Sequence, residues 1–103
     1  MKTILLFKAL SNESRRQILE LLKKPTTNFG PQGCLMDDSD FSGGICVGRI
    51  QEKTGLTQSV VSSYLLMMQN AGLLESKRIG QWTYYRRNEK TIQDFAAYIK
   101  HNL

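Results

Sequence analysis

Between Ile50 and Arg87 the spacing of apolar residues changes period, and the change outlines the chain. Val60, Val61, Leu65 and Met68 recur at helical intervals, with the short polar side chains Gln58, Ser59, Ser62 and Ser63 on the opposite face. Just before them Thr54-Gly55-Leu56 reads as a tight turn: a glycine able to take a positive φ, and an apolar residue to fill the angle between two helices. Thr57 is placed as an N-cap, its hydroxyl accepting an otherwise orphan backbone N–H, and Gly72 ends the helix. Beyond it, alternation over Leu73 to Ile79 and Trp82 to Arg87, around Gly80-Gln81, predicts a β-hairpin. Helix, turn, helix, hairpin is the outline of a winged helix-turn-helix.

The flanks extend it. Ile4, Leu5 and Leu6 with Phe7 and Leu10 predict a short first helix. Ser11 or Asn12 caps a second, in which Ile18, Leu19, Leu21 and Leu22 line the core, and Pro25 ends it. Asn88 or Thr91 starts a last helix with Ile92, Phe95, Ala96 and Ile99 at helical spacing. Phe95 and Tyr98 suit a monomer core and a dimer face equally. Pro25 to Gly44, rich in Gly, Pro, Ser, Asp and Asn, reads as an inserted irregular loop. The expected fold is mainly α with a small β-hairpin wing, about five helices and two to three short strands in one domain over 1–103.

At 103 residues such a domain buries a limited core, which makes a dimer partner reasonable. The net charge is +5. Its distribution matters more, for the cations concentrate in the first two helices and the wing, while Phe29 to Val47 is acidic. From Leu73 to Asn88 the wing carries Lys77, Arg78, Arg86 and Arg87 against the single acid Glu75, a set that can lie along a phosphate backbone. Trp82 and Tyr85 are expected to pack inward, between wing and body. Small polar groups at the start of the helix after Thr57 suit base edges in a major groove, and the helix dipole there favours phosphate. The apolar start of the chain is too short for a signal peptide or a membrane span, so a cytoplasmic location is expected. With His101 as its single histidine, no glycine-rich phosphate loop and no pairing of nucleophile with base, the chain is not expected to be an enzyme.

Four segments, in order, resemble the arsenic-repressor (ArsR/SmtB) family. Phe7 to Leu22, FKALSNESRRQILELL, is similar to its FKALADPTRRRILELL opening, and Ile45 to Ile50, ICVGRI, to its ELCVCDL box. Thr57 to Leu65, TQSVVSSYL, resembles the SQPxVSRHL recognition helix, and Ala71 to Arg87 the AGLLxxxRxGxxxYYR wing. The resemblance implies a homodimer joined through its first and last helices, binding an inverted-repeat operator in double-stranded DNA as a repressor, with half-sites about one helical turn apart. It also assigns Thr57, Gln58, Ser59, Val60, Ser62, Ser63 and Tyr64 to the DNA from the helix, and Lys77, Arg78, Gln81, Tyr84 and Arg86 from the wing. Ser63-Tyr64 replaces the family's Arg-His, which removes one arginine able to read guanine. For Tyr64 a phosphate contact and simple packing both remain open. A winged helix used purely for protein docking is the other class of function.

Effector chemistry turns on few residues. Cys46 stands at the first cysteine of the box, but Gly48 and Gln51 occupy the places of further sulfurs, so a thiolate metalloid site is incomplete. Asp94 and His101 make only a weak pair along the last helix, and Asp37-Asp38-Ser39-Asp40 lacks the glycine and distal glutamate of an EF-hand. No metal and no cofactor are expected. Cys34, in the loop, and Cys46 are candidate sensor thiols, able to respond to an oxidant or electrophile, or else an incidental loop thiol and a small buried hydrophobe.

Overall fold

The computed structural model describes residues 1–30 and 41–103. Its elements run α1 (Thr3–Leu10), α2 (Glu13–Lys23), α3 (Pro25–Phe29), β1 (Ile45–Cys46), α4 (Val47–Thr54), α5 (Gln58–Asn70), β2 (Leu74–Ile79), β3 (Trp82–Arg87) and α6 (Glu89–Asn102). The strands form an antiparallel sheet in the order β1-β3-β2.

Local sequence explains most boundaries. Asn12 caps α2 by accepting the Arg15 N–H at 2.9 Å, and Asn88 caps α6 by accepting from Thr91 at 3.3 Å. Between α4 and α5, Gly55 adopts the left-handed conformation at φ 73° and Thr57 accepts the Val60 N–H at 3.3 Å. At the end of α5 the N–H of Gly72 bonds to the Gln69 carbonyl and that of Leu73 to the Met68 carbonyl, both at 2.9 Å. This is a Schellman closure, and Gly72 meets its backbone demand with φ 90°.

One core receives a stripe from every long element. Leu6 and Ala9 of α1, Ile18 and Leu22 of α2, Ile50 of α4, Val61, Leu65 and Met68 of α5, Leu73 and Leu74, and Phe95 of α6 are buried together. Leu19, Leu21, Tyr85 and Tyr98 pack partly buried against them. Phe95 thus belongs to the monomer core, edge-on to Phe7 at 5.0 Å and stacked with Tyr98 at 6.4 Å.

The expected irregular loop over 25–44 does not hold at its start. Pro25 begins α3 instead of only stopping α2, because its fixed φ and missing N–H suit a first helical position. Phe29 anchors the turn in the core, Asn28 Nδ2 donates to the Leu21 carbonyl at 2.8 Å, and Gly30 closes the helix with φ 77°. This helix makes six among the described residues, where about five were expected. Cys34 and the run Asp37 to Asp40 lie outside the described residues.

Candidate nucleic-acid interface

The helix-turn-helix is α4 and α5, and its angle is fixed by the turn between them. Thr54 Oγ1 donates to the Ile50 carbonyl at 2.9 Å and accepts the Leu56 N–H at 3.4 Å, holding the chain through Gly55. With Val61, Leu65 and Met68 facing the core, α5 turns Thr57, Gln58, Ser59, Ser62 and Ser63 to solvent, while Val60 is half-buried. The helix contains no charged residue, so its outward stripe offers hydroxyl and amide groups to a partner without a carboxylate to repel phosphate.

The inner side of α5 is held through Tyr64. Arg15, buried in α2, donates from Nε to the Ala9 carbonyl at 2.7 Å and from Nη2 to the Lys8 carbonyl at 3.0 Å. It thereby supplies a charged donor to the Ala9 carbonyl at the end of α1 and adds to the Ser11 N–H and Oγ, which also donate to the Lys8 carbonyl at 3.2 and 2.7 Å. Its guanidinium also lies 5.0 Å from the centre of the half-buried Tyr64 ring.

In the wing, Gly80 takes φ 61° at the first central position of a two-residue turn, as a hairpin of primed type requires. The register pairs Lys77 with Tyr84, Arg78 with Thr83 and Ile79 with Trp82. Arg78 and Gln81 are exposed, and Lys77 and Tyr84 are half-buried. The two arginines at the wing's base are committed within the fold. Arg86 Nε donates to Glu75 Oε1 at 2.6 Å, Nη1 reaches the Ser42 carbonyl at 3.3 Å, and the guanidinium lies 4.3 Å from the Phe41 ring centre. Arg87 makes a two-pronged pair with Glu89, at 2.8 and 3.1 Å, and reaches the Leu19 carbonyl at 3.3 Å, tying the wing to α6 and α2. Arg86, placed from sequence along the phosphates, therefore already has its charge matched.

The expectation that Trp82 and Tyr85 both pack inward fails for Trp82. Three positions apart on one strand, the two side chains point to opposite faces. Tyr85 takes the inner one, where burial raises its phenol above the ordinary value. Trp82 stands 57% exposed beside the hairpin tip. The sign of this was present in the sequence, in the odd separation of the two aromatics.

Cys46 is a free, half-buried thiol at the junction of β1 and α4, cross-strand from Tyr84. Among the described residues no three His, Cys, Asp or Glu side chains gather in one place, and Asp94 is paired with Lys90 at 3.0 Å. No helix among them is long and apolar enough to cross a membrane.

No family model matches the chain. It is 46% identical over 101 residues to the uncharacterized HTH-type transcriptional regulator YbzH of Bacillus subtilis (strain 168), covering 97% of each chain. It is 30% identical over 88 residues to the transcriptional repressor SdpR of the same organism, covering 85% of this chain and 78% of that one. The solution structure of the homodimeric winged helix-turn-helix DNA-binding domain of a possible ArsR-family regulator of Mycobacterium bovis superposes with a TM-score of 0.68 at 29% identity, over 93% of this chain and 73% of the other. The chain belongs to the ArsR family. As an ArsR-family transcriptional regulator it carries the winged-helix DNA-binding fold, with α4 and α5 as the helix-turn-helix and β2-β3 as the wing. Its relatives are regulators of transcription.

Proposed function

We propose that this ArsR-family regulator is a homodimeric repressor, sited in the cytoplasm, that sets α5 of each protomer into successive major grooves of an inverted-repeat operator. The observation that carries this is the uncharged outward stripe of α5, Gln58, Ser59, Ser62 and Ser63, beside a wing whose tip bears Arg78 and Gln81. Base edges fall to the stripe, and phosphates to Lys77, Arg78 and Gln81. Dimerisation is supported by the terminal helices, where Ile4, Phe7 and Ile99 remain at least two-fifths exposed although their neighbours fill the core. The homodimeric state of the mycobacterial relative and the repressor role of SdpR point the same way. The test is selection of bound duplexes from a random pool: recovery of a two-fold symmetric site supports the proposal, and recovery of none moves weight to protein docking.

A thiol-responsive form of this function is favoured by Cys46. Its half-buried sulfur sits at the entry to the helix-turn-helix, where capping or oxidation would displace the start of α4. Loss of DNA binding on mild oxidation, abolished by Cys46→Ser, is the expected outcome.

A further inference from the structure

The wing ends in an apolar pair. Ile79 and Trp82 face each other across the last register step before the Gly80-Gln81 turn. Trp82 lies roughly 10 Å of strand beyond Tyr85, the β3 aromatic that packs on the core, at about 3.4 Å per residue. The side chain with the largest apolar surface in the wing is thus held away from the body, more than half exposed, beside the tip of a paired hairpin. Such a group is commonly completed by a binding partner.

The surroundings select the partner. Arg78 and Lys77 lie within the same strand end, Gln81 occupies the turn, and the wing's one acid, Glu75, is neutralised at the base by Arg86. A second copy of this cationic tip would be repelled, whereas a polyanion would be drawn in. The indole itself has no charge and one N–H donor, so it adds little as a phosphate contact. It does fit the floor of a minor groove, where apolar side chains lodge against sugars and base steps while neighbouring cations hold the strands.

We propose that Trp82, supported by Ile79, is an apolar wedge that enters the minor groove flanking the segment read by α5. This rests on the reading of α5 as the major-groove element. The exocyclic amino group of guanine projects into the minor groove, so the wedge favours A·T pairs at that flank. Specificity then extends beyond the bases that α5 touches, through a residue with no hydrogen-bonding code of its own.

Trp82 is the chain's single tryptophan, so tryptophan emission reports on the surroundings of this one side chain. The experiment follows that emission and the anisotropy of a labelled duplex, enriched by the protein from a random pool, in one titration. Emission is expected to quench in step with the rise in anisotropy. Trp82→Ala is expected to bind about tenfold more weakly with an unchanged salt slope and to lose the A·T preference at the flank, whereas Arg78→Ala lowers the slope by about one. Trp82→Phe restores most of the affinity, and both tip variants keep the parent's thermal midpoint. A rise in anisotropy without a change in emission, or full affinity in Trp82→Ala, overturns the wedge and leaves DNA reading by α5 standing. Absence of binding to any duplex overturns both. A shift in emission with protein concentration alone would place Trp82 between copies and overturn the wedge.

Discussion

Arg15 and Tyr64 stack, guanidinium over ring at 5.0 Å, and through that pair the end of α1 is joined to the reader helix. The same guanidinium holds the Lys8 and Ala9 carbonyls, so one buried side chain links α1, α2 and α5. The helix that exposes Ile4 and Phe7 and the helix proposed to read DNA are thereby positioned by a common contact.

Arg15→Ala should destabilise the fold by about 1–3 kcal/mol, since it takes the charged donor from the Ala9 carbonyl, leaves the Lys8 carbonyl to Ser11, and opens space beside Tyr64. Urea unfolding measures it. Arg15→Lys should recover only part, because an ammonium cannot span both carbonyls while lying flat on the ring; wild-type stability in Arg15→Ala would remove Arg15 from its linking role.

At the other end of α5, Gly72→Ala should cost about 1–2 kcal/mol, because the residue sits at φ 90°. The added Cβ would also meet Thr91 Cγ2 at 3.4 Å, an ordinary contact, so backbone strain and not crowding is the expected cause. A thermal midpoint equal to the parent's would contradict the Schellman assignment.

Base-reading and backbone-holding residues should separate in their salt dependence. Arg78→Ala and Lys77→Ala should weaken binding evenly across sequences and flatten the salt slope by about one each. Gln58→Ala and Ser59→Ala should change which sequences are preferred and leave the slope in place. If both pairs behave alike, the division of labour between α5 and wing is wrong.

Alkaline pH should act through Tyr85. Burial raises its phenol above the ordinary 10.0, so the neutral form is favoured in the fold. Its contribution is complete below that value and is lost as pH rises through the higher folded pKa, where the buried group must ionise. Tyr85→Phe should remove this part of the alkaline loss of stability, read as unfolding midpoints on either side of pH 10.

Much of this was legible in the chain because the signals were local. Gly55, Thr57 and Gly72 each govern a turn or cap where the sequence placed it, and Asn12 and Asn88 are the caps among the pairs Ser11 or Asn12 and Asn88 or Thr91 that it left open. The errors came where one residue admits two local roles. Pro25 both stops α2 and starts α3, and composition alone favoured the first. Trp82 was expected inward together with Tyr85, although strand alternation against Tyr85 sends it outward. The commitment of Arg86 to Glu75 and Phe41 depends on cross-strand register and a distant segment, neither of which a count of wing charges contains. Phe95 and Tyr98 suited core and dimer alike by spacing, and it is tertiary packing that places Phe95 in the buried cluster, with Phe7 edge-on to it.

The central claim, that α5 and the wing read a specific operator, is tested most directly by fluorescence anisotropy on DNA from immediately upstream of the chain's own gene. The competitor is a shuffled duplex of equal composition, and the protein is reduced at one stated salt concentration. Binding at least about a thousandfold tighter to the upstream duplex, saturating at a dimer per site, is the predicted result. Equal affinity for both duplexes, here and for any sequence enriched from a random pool, would contradict it.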